Sequence, residues 1–160
     1  MKLMILAVGK VGDKFLINGI REYMQRLKHY TRISMAHVKE EKISAKASMA
    51  EIEKVKEAEG KRLLSKVMPN SHLIALSVRG ESLSSLELAQ KLRDLRVHGR
   101  SNLTFIIGGP HGLSDEVLKS ADDVLSFSQM TFTHEMIRLI LLEQIYRAFK
   151  IIKNEPYHKG

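Results

Sequence analysis

Three nearly continuous apolar runs, each stopped by glycine or a charged turn and each followed by a helical pattern, restrict this chain most. They are residues 2–9, ending at Gly9, HLIALSV at 72–78, ending at Arg79-Gly80, and NLTFIIG at 102–108. Runs of this length and composition are strands buried on both faces. Such strands need helices above and below them. The intervening sequence supplies these: from Asp13 to Tyr30 the apolar residues Leu16, Ile20, Tyr23, Met24 and Leu27 recur at helical spacing, with Arg21, Glu22, Gln25, Arg26 and Lys28 on the other face. Residues 32–38 read as a short second strand, and 39–48, almost bare of apolar side chains, as a mobile loop. Ser48 caps a helix with Ile52, Val55, Leu63 and Val67 inward, weakened in its middle by Gly60 and ended by Pro69. Ser84 with Glu87 forms a capping box for a helix reaching His98, where Gly99 stops it. Ser114 opens a short helix, 123–128 make a fifth strand, and the last helix runs from about Thr133 to Ile152.

That last helix carries Ile137, Ile140, Leu141, Ile145 and Phe149 around most of its circumference, so it needs cover on more than one side. Either a second subunit or the chain's own sheet and loops can provide it. Strands alternating with helices give an α/β architecture, a mostly parallel sheet flanked by helices, with ligands beyond the carboxyl ends of the strands. A length of 160 residues fits one domain spanning 1–160.

Composition narrows the chemistry. Lys plus Arg number 26 against 18 Asp plus Glu, a net +8 that attracts polyanions such as nucleic acid without choosing an activity. The absence of cysteine excludes disulfides, thiolate catalysis and Cys-ligated zinc. MKLMILAVGKVGDKF reads as a strand rather than a signal peptide. The apolar stretch near the carboxyl terminus is broken by Arg138, Glu143, Gln144, Arg147 and Lys150, so no membrane span is expected and a cytoplasmic protein is.

IIGGPHGLS, residues 106–114, ends the fourth strand with three glycines, a proline and a histidine. It is not a P-loop, because Gly112 is followed by Leu113 and not by Lys-Ser or Lys-Thr, and GGPHG is not GxGxxG. Asp115 and Glu116 offset the positive end of the following helix, which makes it a poor phosphate site. Close ligand approach and plain turn chemistry both account for the glycines. HEMIR at 134–138 lacks the second histidine of a zinc motif, no other ligand spacing occurs among the histidines, and no GxSxG elbow is present.

Three segments together, IIGGPHGLS, FSQMTFTHEMIRLILLEQIYRAFKI and the ending NEPYHKG, carry a likeness that extends over the whole chain from the opening KLMILAVGK. The chain resembles the ribosomal RNA large-subunit methyltransferase H family, SPOUT-class enzymes that methylate N3 of a pseudouridine. The resemblance implies a carboxyl-terminal trefoil knot whose loops bind S-adenosyl-L-methionine. Carried onto this sequence, the cofactor-binding positions are Leu76, Gly108 and the segment Phe127, Ser128, Gln129, Met130, Thr131 and Phe132. A side chain at Gly108 is then expected to fill the adenosine cleft. The resemblance further implies a homodimer with the last helix in its interface, and a substrate in large-subunit ribosomal RNA met within the assembled ribosome. Arg138, Tyr157 and His158 are the candidate catalytic residues: Arg138 for a phosphate or a developing anion, Tyr157 and His158 for orienting the base, with His158 a proton acceptor. His134 is a weaker candidate, with helix capping as its other role. Two other readings stay open on the residues alone, a non-catalytic ribosome-binding factor and a SPOUT methyltransferase acting on transfer RNA.

Overall fold

The computed structural model describes residues 1–159. Its elements are β1 Lys2–Val8, α1 Lys14–Leu27, β2 Arg32–Val38, α2 Met49–Leu64, β3 His72–Ser82, α3 Ser85–Val97, β4 Asn102–Ile107, α4 Asp115–Ser120, β5 Asp123–Ser126 and α5 Met136–Ile152. The five strands form one sheet in the order β2-β1-β4-β3-β5, and every pairing is parallel. The near-continuous apolar runs are explained by period-two alternation between two covered faces. Leu3, Ile5 and Ala7 of β1 join Leu103, Phe105 and Ile107 of β4 in a core shared with α1, α3 and α5. Leu6, Val8 and Ile106 face the other way, onto Leu63 of α2 and Val117 of α4.

Both capping boxes form: Ser48 pairs reciprocally with Glu51, and Ser84 with Glu87. Helix α5 packs between α1 and α3 on the sheet, burying Leu141, Leu142, Ile145, Ala148 and Phe149. One side of its wide apolar circumference is covered within the chain in this way, while Leu139 and Ile140 stay half-buried. The segment 39–48 is anchored where it begins, since the Glu41 N–H donates to Glu59 at 2.9 Å and the Glu41 carboxylate pairs with Arg62.

Strand β3 continues four residues past its expected end. Leu76 and Glu81 both pair with Leu125, so the intervening Ser77–Gly80 forms an irregularity that leaves Val78 and Arg79 exposed. Strand β5 stops at Ser126, earlier than expected, and Phe127 and Ser128 leave the sheet. At the opposite ends of these strands Asp123 bridges His72 and Lys91, both at 2.6 Å. No described helix is long and apolar enough to cross a membrane.

Candidate functional site

The carboxyl ends of β4 and β5 and the irregularity within β3 open into a cleft of about 880 Å³, inside the range of about 300–1,000 Å³ usual for small-molecule sites. Leu76 and Ser77 line it from the β3 irregularity, Ile107 and Gly108 from the end of β4, and Leu125 and Ser126 from the end of β5. The opposite wall comes from the start of α1 and the approach to α5, through Asp13, Leu16, His134, Glu135 and Ile137. Among the described lining residues there is no Lys or Arg, whereas Asp13 and Glu135 both carry carboxylates. A cleft of this kind suits a ligand with apolar surface and a positive centre, and not a polyphosphate.

The glycine loop is shaped by itself before it is shaped by any ligand. The Gly112 N–H donates to the Gly109 carbonyl at 3.0 Å, and the two residues form an antiparallel bridge. A Cβ on Gly108 would lie 2.5 Å from the Gly112 carbonyl carbon and 2.6 Å from its oxygen. The expectation that such a side chain fills the cleft is thus corrected: it collides with the loop's own backbone, and only through that displacement reaches the site. The loop also rests on Glu59, whose carboxylate stands 3.0 Å from where a Cβ of Gly109 would be. Glu59 is almost fully buried, and burial raises its carboxyl above the usual carboxylate range.

Of the positions carried over from the family resemblance, Leu76, Gly108, Phe127, Ser128, Met130, Thr131 and Phe132 line the cleft. Gln129 does not line it. The segment turns locally on Ser128, whose carbonyl accepts from Ser126 Oγ at 3.1 Å and whose hydroxyl accepts from the Met130 N–H at 2.9 Å. Phe127 packs against the core, while Met130 and Phe132 stand at the rim, 74% and 38% exposed. Asp13, Leu16, Glu135 and Ile137 had no sequence signal as lining residues. Asp13 reads only as a helix start, and indeed caps α1 by accepting from the Phe15 N–H at 2.7 Å.

Arg138 sits elsewhere than the sequence suggests. It is 2% exposed, and its guanidinium donates to the carbonyls of Val8, Gly9 and His134. Burial lowers its pKa, against the attraction of Glu135 and Glu40, but a guanidinium remains charged. It does not line the cleft and cannot meet an RNA phosphate from this position. With Glu135, which accepts from the Gly12 N–H at 2.9 Å, it ties the start of α5 to the end of β1. Two cleft walls are fixed to each other in this way.

Tyr157 and His158 are ordered, folded back along α5 on a turn at Asn154 (φ 54°). The Tyr157 hydroxyl donates to Glu143 Oε1 at 3.1 Å and lies 3.1 Å from the Tyr23 hydroxyl. Burial, then these two neighbours, push the phenol well above its ordinary range, so it stays neutral. His158 Nδ1 lies 3.4 Å from Arg147 Nη1. Arg147 is ten residues beyond the cleft-lining Ile137, about 15 Å along the helix. One chain therefore does not bring its own tail pair to its own cleft. No described group of three or more acidic or histidine side chains is arranged to hold a metal ion.

Comparison with known proteins places this arrangement. The family profile described as "Predicted SPOUT methyltransferase" matches residues 1–158. The Ribosomal RNA large subunit methyltransferase H of Halothermothrix orenii is 56% identical over 159 residues, covering 99% of this chain and 100% of that protein. The protein of the same name from Carboxydothermus hydrogenoformans is 52% identical over the same shares. A solved structure titled as a probable methyltransferase from Bordetella pertussis Tohama I superposes with a TM-score of 0.54 at 10% identity, over 92% of this chain and 95% of that one, a likeness of fold alone. By a profile match along nearly its whole length and by relatives at half or more identity, the chain belongs to the SPOUT methyltransferase family.

Proposed function

We propose that this chain transfers a methyl group from S-adenosyl-L-methionine to N3 of a pseudouridine in large-subunit ribosomal RNA within the assembled ribosome. The observation that carries the reading is the full-length identity of 56% and 52% to two proteins named for methylating large-subunit ribosomal RNA. The cleft supports it independently. S-adenosylmethionine, when bound, supplies an electrophilic methyl group on a sulfonium. Leu76 and Phe127 offer apolar surface for its adenosine, the strand-end backbone groups can pair with the adenine edge, and Asp13 and Glu135 favour positive charge nearby. The glycine loop and the 127–132 segment hold the cofactor in line with the acceptor, where positioning supplies much of the acceleration.

The protein works as a cytoplasmic homodimer in this reading. A complete site needs both a cleft and a tail, and the separation of Tyr157 and His158 from their own cleft supports a second copy bringing them to it. The net charge of +8 suits a phosphate-rich particle. The chain is one domain over 1–160 and carries a trefoil knot where β3 and β5 meet. The packing there is close enough that a Cβ on Gly80 would lie 2.5–2.7 Å from the backbone of Val124 and Leu125. Nucleoside mass spectrometry tests the reaction. Ribosomes lacking the native modification, incubated with this protein and labelled cofactor, should yield N3-methylpseudouridine, and label on a ribose or another base would refute the assignment.

A further inference from the structure

We propose that Glu143 and Arg147 are positioning residues that clamp the carboxyl-terminal turn and hold His158 with its hydrogen on Nε2, so that His158 donates a hydrogen bond to a carbonyl of the target base. The inference deepens the function proposed above and rests on it.

One carboxylate organises the cluster. Glu143 Oε1 accepts from Arg147 Nε at 3.1 Å, from Arg147 Nη2, and from the Tyr157 hydroxyl at 3.1 Å. The Arg147 guanidinium then lies 4.8 Å from the Tyr157 ring centre, and that ring meets Tyr146 edge-on at 4.9 Å. Glu155 ties the turn from the other side, accepting from Lys150 at 2.7 Å and from Tyr30. What remains of Arg147 is Nη1, and it faces His158 Nδ1 at 3.4 Å. A guanidinium is a donor only. Nδ1 must therefore accept, and in the neutral ring the one hydrogen is on Nε2.

This tautomer gives His158 a different task from that of proton acceptor. In the transfer N3 gains the methyl carbon as the carbon–sulfur bond breaks with its pair on sulfur, and the N3 proton passes to water. Negative charge gathers on the two carbonyl oxygens beside N3 as that proton leaves. A fixed N–H aimed at such an oxygen is the form of stabilisation most effective in an enclosed site. Tyr157, with its hydroxyl committed to Glu143 and its phenol held neutral, anchors the turn and takes no proton.

The test uses histidine-labelled, full-length protein above the usual imidazole pKa of about 6.5. Imidazole nitrogen NMR, assigned through His158→Asn, should show an unprotonated Nδ1 and a protonated Nε2. Arg147→Met should lose that preference and lower kcat for methylation of ribosomes by about 100-fold, as a small misplacement of a reacting group does, with cofactor affinity unchanged. Arg147→Lys, which keeps a donor, should recover part of both. A protonated Nδ1 in the wild type, or Arg147→Met with unchanged kcat, overturns the clamp. Failure of the wild type itself to methylate ribosomes, with the Nε2–H tautomer intact, overturns the underlying function and with it the task given to His158.

Discussion

Replacing Arg138 by methionine separates a structural arginine from a substrate-binding one. The methionine fills the stem's volume but deletes three donors, leaving the carbonyls of Gly9 (3.0 Å), Val8 and His134 (3.0 Å) without them. A buried acceptor left unsatisfied costs about 1–3 kcal/mol. Two of the three carbonyls lie in the buried strand end at Val8 and Gly9, so the gross loss is about 2–6 kcal/mol by the same measure. Removing a buried charge returns part of this, because the guanidinium no longer pays its desolvation cost. A net loss of about 1–4 kcal/mol follows, which at about 2–4 °C per kcal/mol for a chain of this size lowers Tm by roughly 2–16 °C. Thermal and urea unfolding measure it, with Arg138→Lys, a single-point donor, expected in between. Cofactor affinity should fall along with stability, since the tie between α5 and the end of β1 holds Ile137 and the start of α1 in the cleft walls. An unchanged Tm together with lost methyl transfer would refute the reasoning and return Arg138 to the substrate.

Gly108→Ala should weaken S-adenosylmethionine binding at least about tenfold, or about 1.4 kcal/mol, because its Cβ meets the Gly112 backbone; calorimetry giving near-normal affinity would refute this. Glu59 has a raised native pKa, so the wild type loses stability as pH climbs from the unfolded value of about 4.3 through the native one. Glu59→Gln has no such loss: it should match the wild type in acid and exceed it near neutrality, and an equal deficit at both pH values in urea titrations would contradict that. Asp123 is opposed by burial, yet its bonds to Lys91 and His72 win and depress its pKa. Its contribution is present above the unfolded value of about 3.9 and lost as pH falls through the lower native value. Asp123→Asn should therefore be less stable than the wild type at neutral pH by about 1 kcal/mol, with the gap closing in acid; a gap independent of pH would contradict it.

Local signals in the sequence carried most of the secondary structure. Ser84 and Glu87 announce their helix because a capping box is a contact between residues three apart, and the strands of the central sheet announce themselves because both faces are buried. What local signals cannot carry is a contact across the chain. Gly60 reads as a weakness in α2, yet it is where Ser114 and Val117 pack, 2.4–3.0 Å from a Cβ placed there. Arg138 reads as a free cation on an apolar helix, and only the approach of Gly9, 129 residues away, makes it a buried tie. The strand order and the irregularity between Leu76 and Glu81 are of the same kind. For the cleft, the strand-end rule and the family resemblance together located Leu76, Gly108 and most of 127–132, while the wall from α1 and Glu135 depended on tertiary packing.

Transfer of labelled methyl from S-adenosylmethionine tests the central claim most directly, with assembled ribosomes, free large subunits, naked ribosomal RNA and transfer RNA compared as acceptors, each lacking its native modification. The account predicts label in assembled ribosomes and on N3 of a pseudouridine, with the other acceptors near background. Label in transfer RNA, or binding to ribosomes with no transfer to any RNA, would contradict it.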